Sequence, residues 1–445
     1  MSWKKVKLKQ ILKQYRIEHL VQNDIEYKQV TISKYDGVTF RGSKMGREIG
    51  RKRQFQIDLK KYPNTLMFVR QGVQDGSIGI APLEVDGCIA TENMPMFSVE
   101  GINLDYLKFL LKSPYFSDEL NKIQTTGSAQ KSIHEREILE IEIPFPDIDE
   151  QEEIVKELSS KKDNSIEIST ELTHQLTLVK KLRQQLLQDA VQGKLVEQNP
   201  KDEPASELLK KIKAERLNRD AALARPKKEK ELPPIKPEEI PFEIPDNWVW
   251  CRLGEICTKI TDGFHNTPPK VSEGIPYIAA TQVKSDKIDW ENCNFVDEKY
   301  HRELFIKAYP QKGELLVVNI GAGCGTPAII DVDFEFSFKN TAILKFNQSL
   351  LSNKLLFYYF LSRKEQIYAE LTKGGLQPFL SLKILNEIDF PLPPIAEQNR
   401  IVQKLDELMK YCNELEASIK QSESQNEKLL QQVLREALRK EPVEV

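Results

Sequence analysis

Pro-Phe-Pro-Asp-Ile-Asp-Glu-Gln-Glu-Glu-Ile-Val (144–155) returns 247 residues later as Pro-Leu-Pro-Pro-Ile-Ala-Glu-Gln-Asn-Arg-Ile-Val (391–402). In each copy the prolines block a helix until the acidic residues, which suit the positive end of a helix beginning there. The first copy continues with Ile154, Leu158, Lys161, Ser165, Ile168, Leu172, Gln175, Val179, Leu182 and Leu186, stepping by four and three. Ile401, Leu405, Leu408, Cys412, Leu415, Ile419, Ser422, Asn426, Leu429 and Val433 repeat the stripe. Stripes of one length and phase pack most simply on each other, and polar seam residues such as Gln175 and Asn426 then penalise slipped registers. Each helix covers about 42 residues, or about 63 Å at ~1.5 Å per residue. A shorter helical hairpin inside one core is the plainer alternative, and the uninterrupted length disfavours it.

Working outward, the same offset pairs Thr125, Gly127 and Gln130 with Thr372, Gly374 and Gln377, and Asn93 with Asn340. At an offset of 245, Ser-Trp-Lys-Lys-Val-Lys-Leu (2–8) aligns with Asn-Trp-Val-Trp-Cys-Arg-Leu (247–253). Between these anchors, residues 14–84 and 260–331 share almost nothing. One frame kept twice with a different insert on each implies one kind of partner bound twice and two different things read. Strand-like runs at 65–69, 275–279 and 343–346 accompany helix-like 105–112 and 354–363, so each globular part reads as α+β, with strand order out of reach.

A chain of 445 residues with 40% apolar content can bury more than one core. It has no apolar run of about 18 residues and no leader-like start, which reads as a soluble, cytoplasmic protein without a membrane partner. Six cysteines without a C-x-x-C pair read as reduced, mostly buried thiols, with no metal and no cofactor. Net charge is −3, yet residues 1–60 hold 15 Lys or Arg against 6 acids, and 140–158 holds 8 acids and one lysine. The densest basic stretch is Arg41, Lys44, Arg47, Arg51, Lys52 and Arg53, with Gly42, Gly46 and Gly50 between them. Mobile glycines among cations suit a loop lying along phosphates; a solvated basic loop is the blander reading.

Residues 199–245 carry eight prolines around a helix-like stretch at 205–224, which reads as a short amphipathic helix followed by an extended Lys/Glu/Pro linker. Here the residues carry a resemblance. The two Pro-x-Pro…Glu-Gln segments, each preceded by Gly-x-x-Gln (127–130 and 374–377), are similar to specificity subunits of type I restriction-modification systems. So are Asn-Trp-Val-Trp-Cys-Arg-Leu-Gly-Glu-Ile (247–256), Leu-Leu-Gln-Asp-Ala-Val-Gln-Gly-Lys-Leu-Val (186–196) and Asp-Glu-Pro-Ala-Ser-Glu-Leu-Leu (202–209). The second insert has a family-like opening, Thr-Asp-Gly-Phe-His-Asn-Thr-Pro-Pro-Lys (261–270), whereas the first has a shortened start at Trp3 and no such opening. The resemblance implies two α+β target recognition domains in tandem, separated by a long antiparallel helical coiled-coil spacer. It sets the first recognition domain at 1–148, the first spacer helix at 149–195, the short helix and linker at 196–245, the second domain at 246–395 and the second spacer helix at 396–440. It also implies double-stranded DNA read as two unlike half-sites, two methyltransferase subunits on the duplicated helices, and restriction/translocase subunits joining that core.

An enzyme is the rival class. Gly321-Ala-Gly323-Cys-Gly325-Thr follows a strand-like 315–320 but lacks nucleotide-loop spacing, so a glycine-rich turn between strands fits better. Gly127-Ser-Ala-Gln-Lys131 ends like a phosphate-binding loop yet lacks its second glycine. No base-methylation motif appears, and the five histidines show no serine, cysteine or carboxylate constellation in sequence, so no catalytic residue is expected. For DNA contacts the candidates are Arg41, Lys44, Arg47, Arg51, Lys52 and Arg53 in the first insert and His265, Asn266, Gln282 and Lys284 in the second. Arg pairs with guanine, Asn or Gln with adenine, and Lys neutralises phosphate. Gln130, Lys131 and Gln377, in the repeated turns, are candidates for the DNA backbone. For His265 and Asn266, simple turn structure is as good a reading.

Overall fold

The computed structural model describes residues 3–123, 132–222, 232–264, 267–285, 287–372 and 378–438, with backbone alone over 219–222. The chain divides into two compact units, residues 1–175 with 418–445, and residues 176–417.

The first unit runs β1 (Lys4–Lys7), β2 (Leu12–Tyr15), β3 (Glu18–Leu20), β4 (Glu26–Ser33), β5 (Gly37–Met45), β6 (Arg53–Gln56), β7 (Thr65–Phe68), β8 (Ile78–Ile80), β9 (Ile89–Ala90) and β10 (Met96–Val99). Then come α1 (Leu104–Leu111), α2 (Pro114–Asn121), α3 (Glu135–Leu139), β11 (Glu142–Phe145) and α4 (Ile148–Val191), which continues into the second unit. The second unit adds α5 (Ala205–Ala222), β12 (Val249–Arg252), α6 (Leu253–Ile256), β13 (Lys259–Asp262), β14 (Ile275–Ala279), β15 (Asn294–Val296), α7 (Glu298–Ala308), β16 (Leu315–Val318) and β17 (Pro327–Ile329). It finishes with β18 (Ser337–Lys339), β19 (Thr341–Lys345), α8 (Asn353–Gln366), α9 (Leu382–Glu387), β20 (Asp389–Leu392) and α10 (Ile395–Ala437), whose last part returns to the first unit.

The repeated residues build the same frame twice. β1 pairs with β11 and β12 with β20, antiparallel and in one register: Lys4 faces Phe145 as Val249 faces Leu392. Pro144 and Pro391 are tolerated because these are two-stranded sheets, where a missing N–H faces no further strand. Each unit then has a four-stranded sheet of equivalent order, β2-β10-β7-β8 and β13-β19-β16-β17. The second hairpin of each sheet lies inside the stretches whose sequences share almost nothing, so the dissimilar regions hide part of the common frame. The first strand of each hairpin is fully buried, Leu66 to Phe68 and Leu315 to Val318, and a buried strand asks only for apolar residues of suitable shape.

Two devices fasten the frame. The Gln of each Glu-Gln pair is buried; Gln151 accepts from the Asn103 N–H at 2.8 Å and donates to the Pro146 carbonyl at 2.9 Å. Gln398 does the same with the Ser352 N–H and the Pro393 carbonyl, at 2.9 and 3.1 Å. Asn103 and Ser352 cap α1 and α8, so each glutamine ties the start of a long helix to the start of a domain helix. The second device involves residues that follow the repeated Gly-x-x-Gln segments in the chain, Ile133 and Leu380. The Arg70 carbonyl accepts from the Ile133 N–H and the Asn319 carbonyl from the Leu380 N–H, while Asn93 and Asn340 supply carbonyls to the same chain segments.

The long helices pair antiparallel within each unit. In the first, Leu434 and Leu438 at the end of α10 share a core with Ile154 and Leu158 at the start of α4. In the second, Leu187 and Ala190 near the end of α4 join Ile401 and Leu405 near the start of α10. The expected stripe is correct at Ile154, Leu158, Leu172, Val179, Ile401, Leu405, Cys412, Ile419 and Asn426, all buried. It fails at Ile168, Leu182, Leu415 and Leu429, each 44–59% exposed, and Gln175 bonds along its own helix to Glu171. Strict stepping by four and three drifts around a helix of 3.6 residues per turn, so the seam passes instead through Ser169, Arg183 and Glu416.

The short helix and the described part of the linker, residues 232–245, make contacts with the second unit. Ala205, Leu208 and Ile212 of α5 enter its core. Asp202 pairs with Arg400 at 2.6 Å and Lys213 with Glu255 at 2.6 Å. Buried Arg252 donates to the Pro233, Pro234 and Glu387 carbonyls and to Glu239. A strap of prolines can bind this way because its carbonyls, with no competing local N–H bonds, remain free to accept.

Candidate nucleic-acid interface

Beyond the common frame the units differ. The first carries a five-stranded sheet ordered β3-β6-β9-β4-β5, with β5 at its edge. The second carries β15-β14-β18, in which β14 and β18 run parallel, together with α7.

The basic run of the first unit is an ordered structure rather than a mobile loop. Arg41 and Lys44 lie on β5, Arg47 on a single 3-10 turn at Gly46–Glu48, and Arg53 opens β6. The glycines explain how. Arg41 is the extra residue of a bulge where Gln29 pairs with Gly42 and Val30 with Phe40, and Gly42 takes φ +125°. A Cβ on Gly46 would stand 1.8 Å from the Gln22 carbonyl oxygen, so only glycine lets the turn close on that segment.

These cations are not equally free. Arg53 pairs with Glu18, Lys52 donates to the Gly46 carbonyl at 2.5 Å, and Arg51 lies 4.0 Å from Glu92. Arg41, Lys44 and Arg47 are exposed and hold no ion pair among the described residues. An exposed cation without a protein carboxylate is available to a phosphate, where it releases a counterion.

In the second unit Gln282 is occupied. Its amide oxygen accepts from the Ala279 N–H and the Thr281 hydroxyl, both at 3.0 Å, and its amide nitrogen donates to the Asn292 carbonyl at 3.1 Å. Both ends serve the turn after β14. Lys284 on the same turn is exposed. Gln130, Lys131, His265, Asn266 and Gln377 lie outside the described residues. Sequence reasoning missed the strand facing Arg41; the signal was the alternation of Val30 and Ile32 with polar neighbours.

The sequence showed no catalytic constellation, but the fold assembles one in form. His301 Nδ1 lies 3.1 Å from Ser337 Oγ, and Nε2 lies 2.9 Å from Glu335 Oε2. These residues are 34 and 36 apart in the chain and meet because α7 packs on β18. Ser337 and His301 are both fully buried, so the hydroxyl cannot meet a substrate and the trio ties α7 to the sheet. All six cysteines are free, and five are buried. Burial pushes the Cys324 thiol up to about 11 and Cys257 up to about 12, which keeps both protonated and inert. The glycine-rich segment 321–325 is a turn between β16 and β17. Among the described residues no helix is long and apolar enough to cross a membrane, and no group of His, Cys, Asp and Glu could hold a metal.

Comparison with known proteins agrees with this doubled architecture. The type I restriction modification DNA specificity domain matches twice, over residues 2–178 and 245–422. The type I restriction enzyme EcoAI specificity subunit of Escherichia coli is 30% identical over 374 residues, which cover 72% of this chain and 62% of that protein. The EcoEI specificity subunit of the same species is 27% identical, covering 81% and 68%. The chain therefore spans less than two thirds of the EcoAI subunit's length. Among solved structures, a chain from "Structural basis underlying complex assembly and conformational transition of the type I R-M system" superposes with a TM-score of 0.60 at 18% identity, covering 99% and 98%. The HsdS subunit from Thermoanaerobacter tengcongensis gives 0.50 at 18%, covering 99% and 97%. These two likenesses concern the fold. With both units matched by one domain family and that family covering most of its length, the chain belongs to the type I restriction modification DNA specificity domain family.

Proposed function

We infer that this chain is the DNA sequence-specificity subunit of a type I restriction-modification complex and is itself non-catalytic. Each unit reads one half of a bipartite, asymmetric DNA target. The duplicated helices offer equivalent seats to two methyltransferase subunits, and restriction/translocase subunits join that assembly in the cytoplasm. The carrying observation is the contrast within the molecule: two frames with the same registers, strand order and glutamine clamps bear two unlike outer layers. Equal frames suit equal protein partners, and unlike layers suit unlike half-sites. Arg41, Lys44 and Arg47 supply cations for the phosphates of one half-site, and Lys284 is placed to do so for the other.

The test is methylome sequencing of a methylation-deficient host that expresses the chain with and without a cognate methyltransferase subunit. The expected result is methylation of a single split, asymmetric motif only when both are present. An expressed, assembled pair that marks no motif would instead identify a protein scaffold or an inactive remnant.

A further inference from the structure

The hairpin of β4 and β5 is the longest strand pair among the described residues and closes one edge of the five-stranded sheet of the first unit. Its two faces differ in chemistry. One carries Val30, Ile32 and Val38 into the core. On the other, register places Thr31 opposite Thr39 and Gln29 opposite Gly42, and the open stretch ends at Tyr27, which is buried with Val21, Ile49 and Ile89. Gln29, Thr31 and Thr39 are partly exposed, and none of their side chains makes a hydrogen bond among the described residues. Polar side chains aligned on one strand face without protein partners are free to bond something outside the chain.

The surrounding charge indicates what that is. Residues 26–53 contain eight lysines and arginines against three acids. The cations flank the polar row, with Arg41 at the bulge beside Gln29 and Lys44 and Arg47 beyond it. A polyanion fits such a rim, and a two-stranded ribbon fits the major groove of B-DNA, which is about 12 Å wide. Short uncharged threonines contribute little against phosphate. Against base edges they offer a hydroxyl and a methyl that meets thymine, while Gln matches adenine and Arg matches guanine. Among the described residues the outer layer of the second unit holds no antiparallel pair of this length, since β14 meets β15 over three residues only and β18 in parallel, and its turn glutamine is already bonded.

We propose that the open face of this hairpin, through Gln29, Thr31, Thr39 and Arg41, reads the bases of one DNA half-site in the major groove, with Lys44 and Arg47 holding the flanking phosphates. This rests on the DNA-specificity reading above. The two groups of residues have separable signatures. Base-reading residues set discrimination at one half-site, whereas phosphate-holding residues set affinity for any sequence and its salt dependence.

The test uses the full chain assembled with its methyltransferase partner, bound to duplexes carrying the methylome-derived motif and to single-base variants of each half. Gln29→Ala and Thr31→Val, both on an exposed face, should reduce discrimination at one half-site by roughly 5- to 150-fold while leaving the other half-site and the salt slope unchanged. Arg47→Ala should weaken binding to every duplex and lower the slope of log K against log salt by about 1, with discrimination intact. Wild-type preference retained at both half-sites in the Gln29 and Thr31 variants would overturn the proposal, as would equal loss at both. If the wild-type assembly shows no sequence preference, the DNA-specificity reading itself fails, a result distinct from either.

Discussion

The two halves of the helix pair occupy equivalent places in the repeat and use opposite chemistry. In the first unit Asn426 donates to the Ser165 carbonyl at 2.8 Å and to the Ser169 hydroxyl at 3.0 Å. At the equivalent positions of the second unit, 247 residues away, stand Val179 and Cys412, both buried. One turn along, Arg183 pairs with Glu416 at 2.9 Å, where the first unit has Leu430 and Ser169. A duplicated helix has thus become a seam with a hydroxyl–amide layer in one half and an apolar layer plus an ion pair in the other. Such polar layers favour pairing of α4 with α10 in one register over pairing of either helix with a copy of itself.

The largest expected difference between the units lies at another equivalent pair, Lys7 and Arg252. Arg252 is buried and gathers two carbonyls and Glu239 from the strap together with the Glu387 carbonyl, whereas Lys7 is exposed and pairs with Glu140. Arg252→Met should destabilise the second unit by about 2–4 kcal/mol, because the several hydrogen bonds of a buried charged donor are lost, and should speed amide exchange in residues 232–245. Lys7→Met should leave the melting temperature unchanged. Equal effects at the two sites would break the contrast between a strapped and an unstrapped frame.

A matched pair sharpens the opposite point. Gln151→Leu and Gln398→Leu remove the same clamp from each unit, and each should cost about 1–3 kcal/mol, read as a lowered denaturant midpoint. Clearly unequal losses would mean that the frame is not equivalent in its two copies. Next in size is the seam. Val179→Asn places an amide at a buried position of the apolar layer, at a cost of about 1–3 kcal/mol, while Asn426→Val should cost about 1 kcal/mol or less because only its own two bonds are lost. The smallest effect belongs to Glu416→Ala, about 0–1 kcal/mol at low salt and less at high salt, since both partners are roughly a third exposed. A salt-independent loss there would indicate packing rather than charge.

Several features were legible in the chain because they depend on local chemistry repeated at a fixed interval. The start of α4 is one: Asp147 accepts from the Glu150 N–H at 2.9 Å just after the prolines that exclude helix. The turn at 321–325 is another, since glycines with φ +101° and +88° cannot continue a strand. The basic stretch 41–53 was visible as charge, but its form was not. That Gly42 makes a bulge and Gly46 admits the Gln22 carbonyl depends on strands that precede them, and no spacing within the run encodes it. The bonding of Gln282 within its turn was not legible for the same reason, because its partner at Asn292 is set by how the turn closes.

Residue order alone establishes that one frame occurs twice, that two long helices follow the Pro-x-Pro segments, and that the inserts differ. Each of these depends on residue identity at a constant offset or on intrinsic backbone preference. Which face of each helix forms the seam is set by the three-dimensional fold, because small departures from a 3.5-residue repeat accumulate over 44 and 43 residues. The fold alone showed that unlike sequences build the same buried hairpin, since a core requires volume and apolarity rather than particular residues. It alone separated the cations already paired from those left open, and joined Ser337, His301 and Glu335, because hydrogen bonds and ion pairs are fixed by distances in space that a linear chain does not contain.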